Sequence, residues 1–439
     1  MFDVIPFATV KIPMPHAAPA ARSVNSKGQR SVRITALLAI ALAAASCDSG
    51  TTAPGKSEEV VIGGVFSLTG NWATLGVTSK AAMEVGIDDV NQYIASGNTG
   101  IHFTASIADS KLDPAAALAA VTAMRAAGVE VVIGPQSSAE VGALKSYVDA
   151  NKMLLVSQSS TAGTLAIAND NVFRLTPSDT LEAVALVGVM KADAMTTIIP
   201  YWRNDAGNVG LQVATRALFS LGGTVKPGVQ YTAATTDFAS SLAALKTQVQ
   251  AAITERGGTA GIAVAHAGFD EVVDIFKLAA TDPVLSSVRW YGTDGTALNE
   301  PLRSNVVAAA FARKVGFWTP TPGVDDGARE RWQPVATRIA ARAKAQPDAF
   351  ALAVYDAVWL TAQAYLATGG RGNPAALKSA FVTAADGFYG ASGWTKLNAA
   401  GDRKFGDFDF FSLSQSGSAF AWGLAAKFNT QTGTLSRKQ

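Results

Sequence analysis

The sequence predicts an α/β protein with two lobes, each a parallel-sheet sandwich. Three observations lead there: short apolar runs fit for buried strands, amphipathic helical stretches that alternate with them, and a point where the alternation stops and restarts. The chain has 439 residues, 49% of them hydrophobic and 16% charged. At roughly 100–200 residues per domain, that is enough for two compact units and too apolar for global disorder.

The first series opens with Val60–Phe66, a strand-like apolar run, and continues into a helix near 77–95. There Met83, Ile87, Val90 and Ile94 fall on one helical face. Ile101–Ala108 is a second strand. Asp113-Pro114 opens a helix as N-cap and first-turn proline, and Gly128 closes it. Strands at 129–134 and 153–157 flank a helix at 141–150. A strict β-α-β-α order calls for parallel strands with right-handed crossovers. After Phe173–Thr176 the pattern restarts. Helices at 181–191, 210–221, 238–252 and 270–280 alternate with strands at 195–199, 228–231, 261–265 and 289–292. This predicts a second parallel sheet of similar size.

The N-terminus has the grammar of an export signal. Lys27, Arg30 and Arg33 precede the apolar run Ile34–Ala45, which is too short to span a bilayer. Ala44-Ala45-Ser46 then leads into Cys47, the single cysteine. Small residues directly before a cysteine resemble the bacterial lipobox, although Ala44 stands where leucine is usual. Residues 1–46 are therefore expected to be a signal peptide with lipobox, Cys47 a lipidated anchor, and 47–58 a flexible tether. Within the tether, Gly50–Ser57 fits the phosphate-loop pattern G-x-x-x-x-G-K-[ST]. It lacks the preceding strand and following helix that such a loop needs, so no nucleotide site is assigned.

Other chemistry is poorly represented. One cysteine forms no internal disulfide, and His16, His102 and His266 show no metal-ligand spacing, so neither metal nor cofactor is expected. A net charge of +2 with interspersed signs marks no nucleic-acid surface. No G-x-S-x-G elbow occurs, and no histidine accompanies Ser138 or Ser159 in sequence.

In open α/β sheets, ligands sit beyond the carboxyl ends of the strands. The loops in that position are 67–75, 134–138, 157–164, 267–270 and 293–295, rich in Ser, Thr, Gly and Asp. Together with their strands they form an ordered series: VVIGGVFSLTGNWATLG (Val60–Gly76), Asp88-Asp89-Val90-Asn91, VVIGPQSSAEV (Val131–Val141), LLVSQSSTAGTL (Leu154–Leu165), VFRLTPSDTLEA (Val172–Ala183), WYGTDG (Trp290–Gly295) and YDAVWLTAQA (Tyr355–Ala364). This series resembles the branched-chain amino-acid (Leu/Ile/Val) binding proteins, the type I periplasmic solute-binding family of ABC transporters.

The resemblance implies a clamshell whose chain crosses three times between lobes, near Ser178, Phe317 and Gly401. Lobe one would be residues 59–180 and 318–400, and lobe two 181–317 and 401–439. It implies that the Ser138 hydroxyl meets a ligand carboxylate. The Ser159 carbonyl and Thr161 hydroxyl would receive an α-ammonium, with Asp294 pairing that ammonium and Asp179 lying at the crossing. Each has a plainer reading as well: Ser138 as a helix N-cap, Ser159 and Thr161 as a polar turn, Asp179 with Glu182 as a capping box, and Asp294-Gly295 as a turn. Trp72 and Leu75 lie in the first loop, Leu75 where some family members carry Trp, and Phe269 matches a family aromatic after a lobe-two strand; for side-chain specificity these are the candidates, with a core or surface role as the plainer reading of each aromatic. Ala206-Gly207 stands where the family often has Tyr-Gly, which enlarges the expected pocket. The implied function is that of a monomeric, extracytoplasmic binding protein that delivers an amino acid or related polar ligand to an ABC permease. The alternative is the same clamshell serving a signalling receptor.

Overall fold

The computed structural model describes residues 58–97 and 99–438; the export segment, Cys47 and the tether through Ser57 lie outside the described residues. The first lobe begins β1 (Glu58–Phe66), α1 (Ala73–Ile94), β2 (Ile101–Asp109), α2 (Pro114–Ala126), β3 (Val131–Ile133), α3 (Ser138–Ala150), β4 (Leu154–Ser157) and β5 (Val172–Arg174). The strands form one parallel sheet in the order β2-β1-β3-β4-β5. The expected apolar face of α1 is real: Met83, Ile87, Val90 and Ile94 are buried with Val60, Ile62 and Phe66 of β1. On the opposite face Val65, Val132 and Leu155 pack with Val121 of α2 and Leu144 of α3. Asp113 caps α2 as expected, its carboxylate accepting the Ala116 amide at 2.7 Å.

The second lobe runs α4 (Asp179–Ala192), β6 (Thr197–Asn204), α5 (Ala206–Phe219), β7 (Thr224–Val225), β8 (Val229–Thr232), α6 (Ala239–Arg256), β9 (Ile262–Ala267), α7 (Val272–Ala279), β10 (Arg289–Tyr291), α8 (Glu300–Ser304), α9 (Val306–Lys314) and β11 (Trp318–Pro322). The chain then returns to the first lobe as α10 (Arg329–Ala343), α11 (Ala349–Thr368) and α12 (Pro374–Gly387), with α11 packed between α1 and α12. Ala349–Thr368 is long and apolar enough to cross a membrane by composition, but 78% of its apolar window is buried, so it is a core helix of this lobe. A small hairpin, β12 (Tyr389–Gly390) and β13 (Gly393–Trp394), precedes the last crossing.

The second sheet departs from expectation. The C-terminal strands β14 (Phe408–Ser416), β15 (Ala419–Asn429) and β16 (Thr434–Arg437) join it antiparallel at β11, making a mixed sheet in place of a parallel one. The reason is connection length: a two-residue turn, with Gly417 at φ 59°, joins β14 to β15, and only antiparallel neighbours can be joined so tightly. Residues 318–322, grouped with lobe one on sequence, pair with β10 and β14 in this second sheet.

Three crossing segments lie side by side. The Gly323 amide donates to the Asp407 carbonyl at 2.7 Å. A side chain at Gly406 would come within 2.0 Å of the Pro177 ring, so glycine permits that contact. Beside them, Arg174 of β5 makes a two-pronged ion pair with Asp402, Nε to Oδ1 at 2.6 Å and a terminal nitrogen to Oδ2 at 2.7 Å. Arg174 is 1% exposed. Its remaining terminal nitrogen donates to the Ala162 carbonyl at 2.6 Å, which ties the loop after β4 to the third crossing. Removing one partner of such a pair strands a buried charge. Asp402→Ala is expected to lower unfolding free energy by about 3–5 kcal/mol in urea titration; a loss below 1 kcal/mol would show that the pair is dispensable.

Candidate functional site

The loops after β1, β3, β4, β9 and β10 and the starts of α1, α3, α4, α5 and α11 converge on the gap between the sheets. On the first lobe, α3 begins with a capping box: Glu140 Oε2 accepts from the Ser137 amide at 3.0 Å, and Ser137 Oγ accepts the Glu140 amide. The N-cap is therefore Ser137, and Ser138 is the first helical residue. The Ser138 hydroxyl instead lies 3.0 Å from Ser160 Oγ and accepts the Ala162 amide at 3.2 Å. Ser159 Oγ donates to the Gln136 carbonyl at 3.0 Å, and the Thr161 carbonyl accepts the Asp179 amide at 3.0 Å. The loop thus joins Ser138, Ser159 and Thr161 to Asp179 through short links.

Asp179 opens α4, whose N-cap is Ser178 without a side-chain cap bond, so the expected Asp179–Glu182 capping box is not formed. Asp179 is 2% exposed, and its carboxylate makes no well-formed hydrogen bond, the Thr161 hydroxyl and Gly163 amide being the donors that face it. Burial pushes its carboxyl up to about 6. Glu182 turns to the second lobe's loop, accepting the Asp294 amide at 3.1 Å. Burial raises Glu182 well above the usual carboxylate range, with the Asp294 charge adding to it. Asp294, half-buried, is pushed up to about 7 by burial first and by Asp179 second; its Oδ1 accepts the Gly295 amide at 2.7 Å.

Helix α5 lies directly over this group. A side chain at Gly210 would come 2.5 Å from Asp179 Oδ2 and 3.8 Å from the Ala162 Cα. One at Gly207 would reach 3.5 Å from the Ser138 hydroxyl. Gly210 therefore makes room for the Asp179 carboxylate within the second lobe, while α5 comes into ordinary contact range of Ser138 and Ala162 on the first.

The other end of the gap is aromatic. Trp72 stacks on Phe269 across the lobes, with centroids 4.5 Å apart and an angle of 26°, and Phe350 meets Trp72 edge-on at 6.4 Å. Leu75 completes this buried cluster. Trp72 sits just before α1 in the left-handed region, φ 57°. Gln136 holds the loop there: its Oε1 accepts the Ser67 amide at 2.8 Å and its Nε2 donates to the Trp72 carbonyl at 3.1 Å.

Sequence reasoning missed the polar latch beside the aromatics. Asn71 Oδ1 accepts the Asp270 amide at 2.9 Å, and Asn71 Nδ2 donates to Glu271 Oε2 at 2.7 Å. Glu271 in turn accepts from the Tyr231 hydroxyl at 2.9 Å and lies 3.6 Å from Arg203, whose guanidinium stands 5.4 Å from the Phe269 ring centre. The Asp270 carboxylate faces the Trp72 and Ala73 amides at the start of α1 and accepts from Asn299 Nδ2 at 2.5 Å. Burial pushes it up to about 7. Asp348, N-cap of α11, accepts the Ala351 amide at 3.0 Å and is pushed by burial to about 6. The available signal was positional: Asn71 and Asp270 lie in two of the post-strand loops, whereas Asp348 comes from a return segment with no strand before it.

The space enclosed at this aromatic end, lined by Trp72, Leu75, Thr78, Asp270, Leu298 and Asp348, is about 10 Å3. That is no more than one water needs. Any larger guest must part the lobes to enter. Among the described residues no cluster of three His, Cys, Asp or Glu is arranged to hold a metal.

Comparison with known proteins agrees with this architecture. The chain is 27% identical over 411 residues to an uncharacterized protein of Methanocaldococcus jannaschii, covering 89% of this chain and 95% of that one. It is similar in structure to the leucine-binding protein LivK of Thermotoga maritima (TM-score 0.70, 17% identity, 85% of this chain and 99% of that one). It is also similar to the substrate-binding protein LivJ of Streptococcus pneumoniae in complex with isoleucine (TM-score 0.65, 19% identity, 84% and 99%). A third likeness is to an R. palustris solute-binding protein in complex with benzoate (TM-score 0.65, 19% identity, 84% and 96%). The fold is thus that of two-lobed type I periplasmic binding proteins. The family model described as the receptor family ligand binding region matches residues 78–416, and the chain belongs to that family.

Proposed function

We propose that this chain is the extracytoplasmic solute-binding component of an ABC transporter, capturing an amino acid or related small polar ligand between its lobes and presenting the shut form to a membrane permease. Cys47 anchors it to the membrane as a lipidated N-terminus, and the protein acts by binding rather than by catalysis. The observation that carries the reading is the set of contacts between lobes: the Trp72–Phe269 stack, the Asn71 bonds to Asp270 and Glu271, and the approach of Gly207 and Gly210 to Ser138 and Ala162. A device of this kind exists to open and shut. Two of the solved proteins that share the fold are in complex with isoleucine and with benzoate, which supports a small polar ligand.

In this reading Ser138, Ser159 and Thr161 receive the carboxylate and ammonium of the ligand once the lobes part. Asp179 and Asp294 offer the negative charge that an ammonium needs, and Trp72, Leu75 and Phe269 wall its side chain. A desolvated carboxylate without a partner is unfavourable, and a ligand ammonium removes that penalty. Contacts that exist only in the shut form then bias the hinge toward closure.

Calorimetric titration of the purified protein with a panel of amino acids is expected to find at least one that binds, and Trp72→Ala is expected to weaken it about tenfold or more. No binding by any of them would contradict the reading. Proton linkage gives a second prediction. Asp179, Asp270, Asp294 and Asp348 have values raised from 3.8 to about 6 or 7 in the shut form. A raised value means the shut form holds protons that the open or unfolded form releases. The stabilisation is therefore complete below about pH 4 and lost as pH rises through about 7. The melting temperature of the ligand-free protein is expected to be lower at pH 8 than at pH 6, and the reverse order would contradict this assignment.

A further inference from the structure

Five carboxylates surround the gap: Asp179, Glu182, Asp270, Asp294 and Asp348. Among the described residues none of them forms an ion pair with lysine or arginine. Of the two arginines nearby, Arg203 is engaged by Asp205 at 2.8 Å and by Glu271 at 3.6 Å, and Arg174, whose charge reaches Asp179, is paired with Asp402. The gap thus holds more acids than cations to face them. Two groups can be told apart, although Asp348 stands near enough to raise Asp294. At the hinge end stand Asp179 and Asp294, where Asp179 is almost fully buried with no cation paired to it and only the Thr161 hydroxyl and Gly163 amide as neighbouring donors. At the outer end Asp270 from the second lobe and Asp348 from the first line one cavity with Trp72, Leu75 and Thr78, and no lysine or arginine lines it.

A neutral amino acid brings one ammonium, which its own carboxylate balances. It would satisfy the hinge-end acids and leave Asp270 and Asp348 against its apolar tail, held by neutral donors alone: the Trp72 and Ala73 amides and Asn299 for Asp270, the Ala351 amide for Asp348. Neutral hydrogen bonds lessen the cost of burying a carboxylate but supply no counter-charge. The aromatic cluster of Trp72 and Phe269 borders the same cavity as Asp270 and Asp348, and it suits an aliphatic stem and a terminal cation through its attraction to aromatic rings. Resting on the binding reading above, we propose that the ligand is a basic amino acid. Its α-ammonium lies at Asp179 and Asp294, its methylene stem passes between Trp72 and Phe269, and its terminal ammonium or guanidinium is held by Asp270 and Asp348.

The test compares L-lysine with L-norleucine, which has the same carbon chain without the ε-ammonium, by calorimetry on the purified protein. Lysine is expected to bind at least tenfold tighter. In Asp348→Asn the ratio of lysine to norleucine affinity is expected to fall at least fivefold. Asparagine caps a helix as well as aspartate, so α11 keeps its start and the variant is expected to melt near the parent. Asp270→Asn supplies an independent second variant with the same expected direction. Norleucine or leucine binding as tightly as lysine would overturn the basic-ligand assignment while leaving the amino-acid reading intact. An unchanged ratio in both variants would do the same for the outer subsite. Failure of every amino acid to bind would remove both.

Discussion

The buried pair of Arg174 and Asp402 is the constraint on which the rest is hung. One guanidinium joins three things that are far apart in sequence: the last strand of the first sheet, the loop carrying Ser159 to Ala162, and the third crossing between lobes. The carbonyl it holds belongs to Ala162, whose amide is bound by the Ser138 hydroxyl. A planar fork with five donors suits this task, since a lysine ammonium makes no such bidentate grip. The crossings are also bonded to one another, through Gly323 to Asp407 and through the contact of Gly406 with Pro177. The three crossing segments are thus tied to one another, and each lobe keeps its own core.

Given that hinge, the gap is governed by a contest between shape and charge. Shape favours closure: an aromatic stack, a bonded Asn71 and the close approach of α5 to Ser138 and Ala162 leave little space at the aromatic end. Charge opposes it, because closure drives several carboxylates out of water. Protons or a cationic guest relieve that opposition. The dry contacts supply the geometry, and the acids set which guest makes closure worthwhile.

Much of the scaffold was legible in the sequence, and the reasons are local. Met83, Ile87, Val90 and Ile94 repeat at helical spacing and do pack on β1, and Asp113-Pro114 does open α2. The antiparallel additions at β14 to β16 were not legible, because short apolar alternation says nothing about which sheet edge receives it. At the site, Ser138, Ser159, Thr161 and Asp179 do come together, while Trp72, Leu75 and Phe269 form a separate aromatic end. Neighbouring residues took roles that pattern alone had assigned elsewhere, as Ser137 did for the cap of α3 and Ser178 for that of α4. Asn71, Asp270 and Asp348 were missed because their meaning is tertiary. Each is an ordinary loop or cap residue until the opposite lobe arrives.

What stands or falls with all of this is movement of two rigid halves about the Arg174–Asp402 hinge. Small-angle X-ray scattering on the purified protein at pH 8, with and without a saturating amino acid that binds it, reads that movement directly. The account predicts a smaller radius of gyration and a shorter maximum dimension in the bound sample. Superimposable curves from a sample shown to be saturated would contradict it.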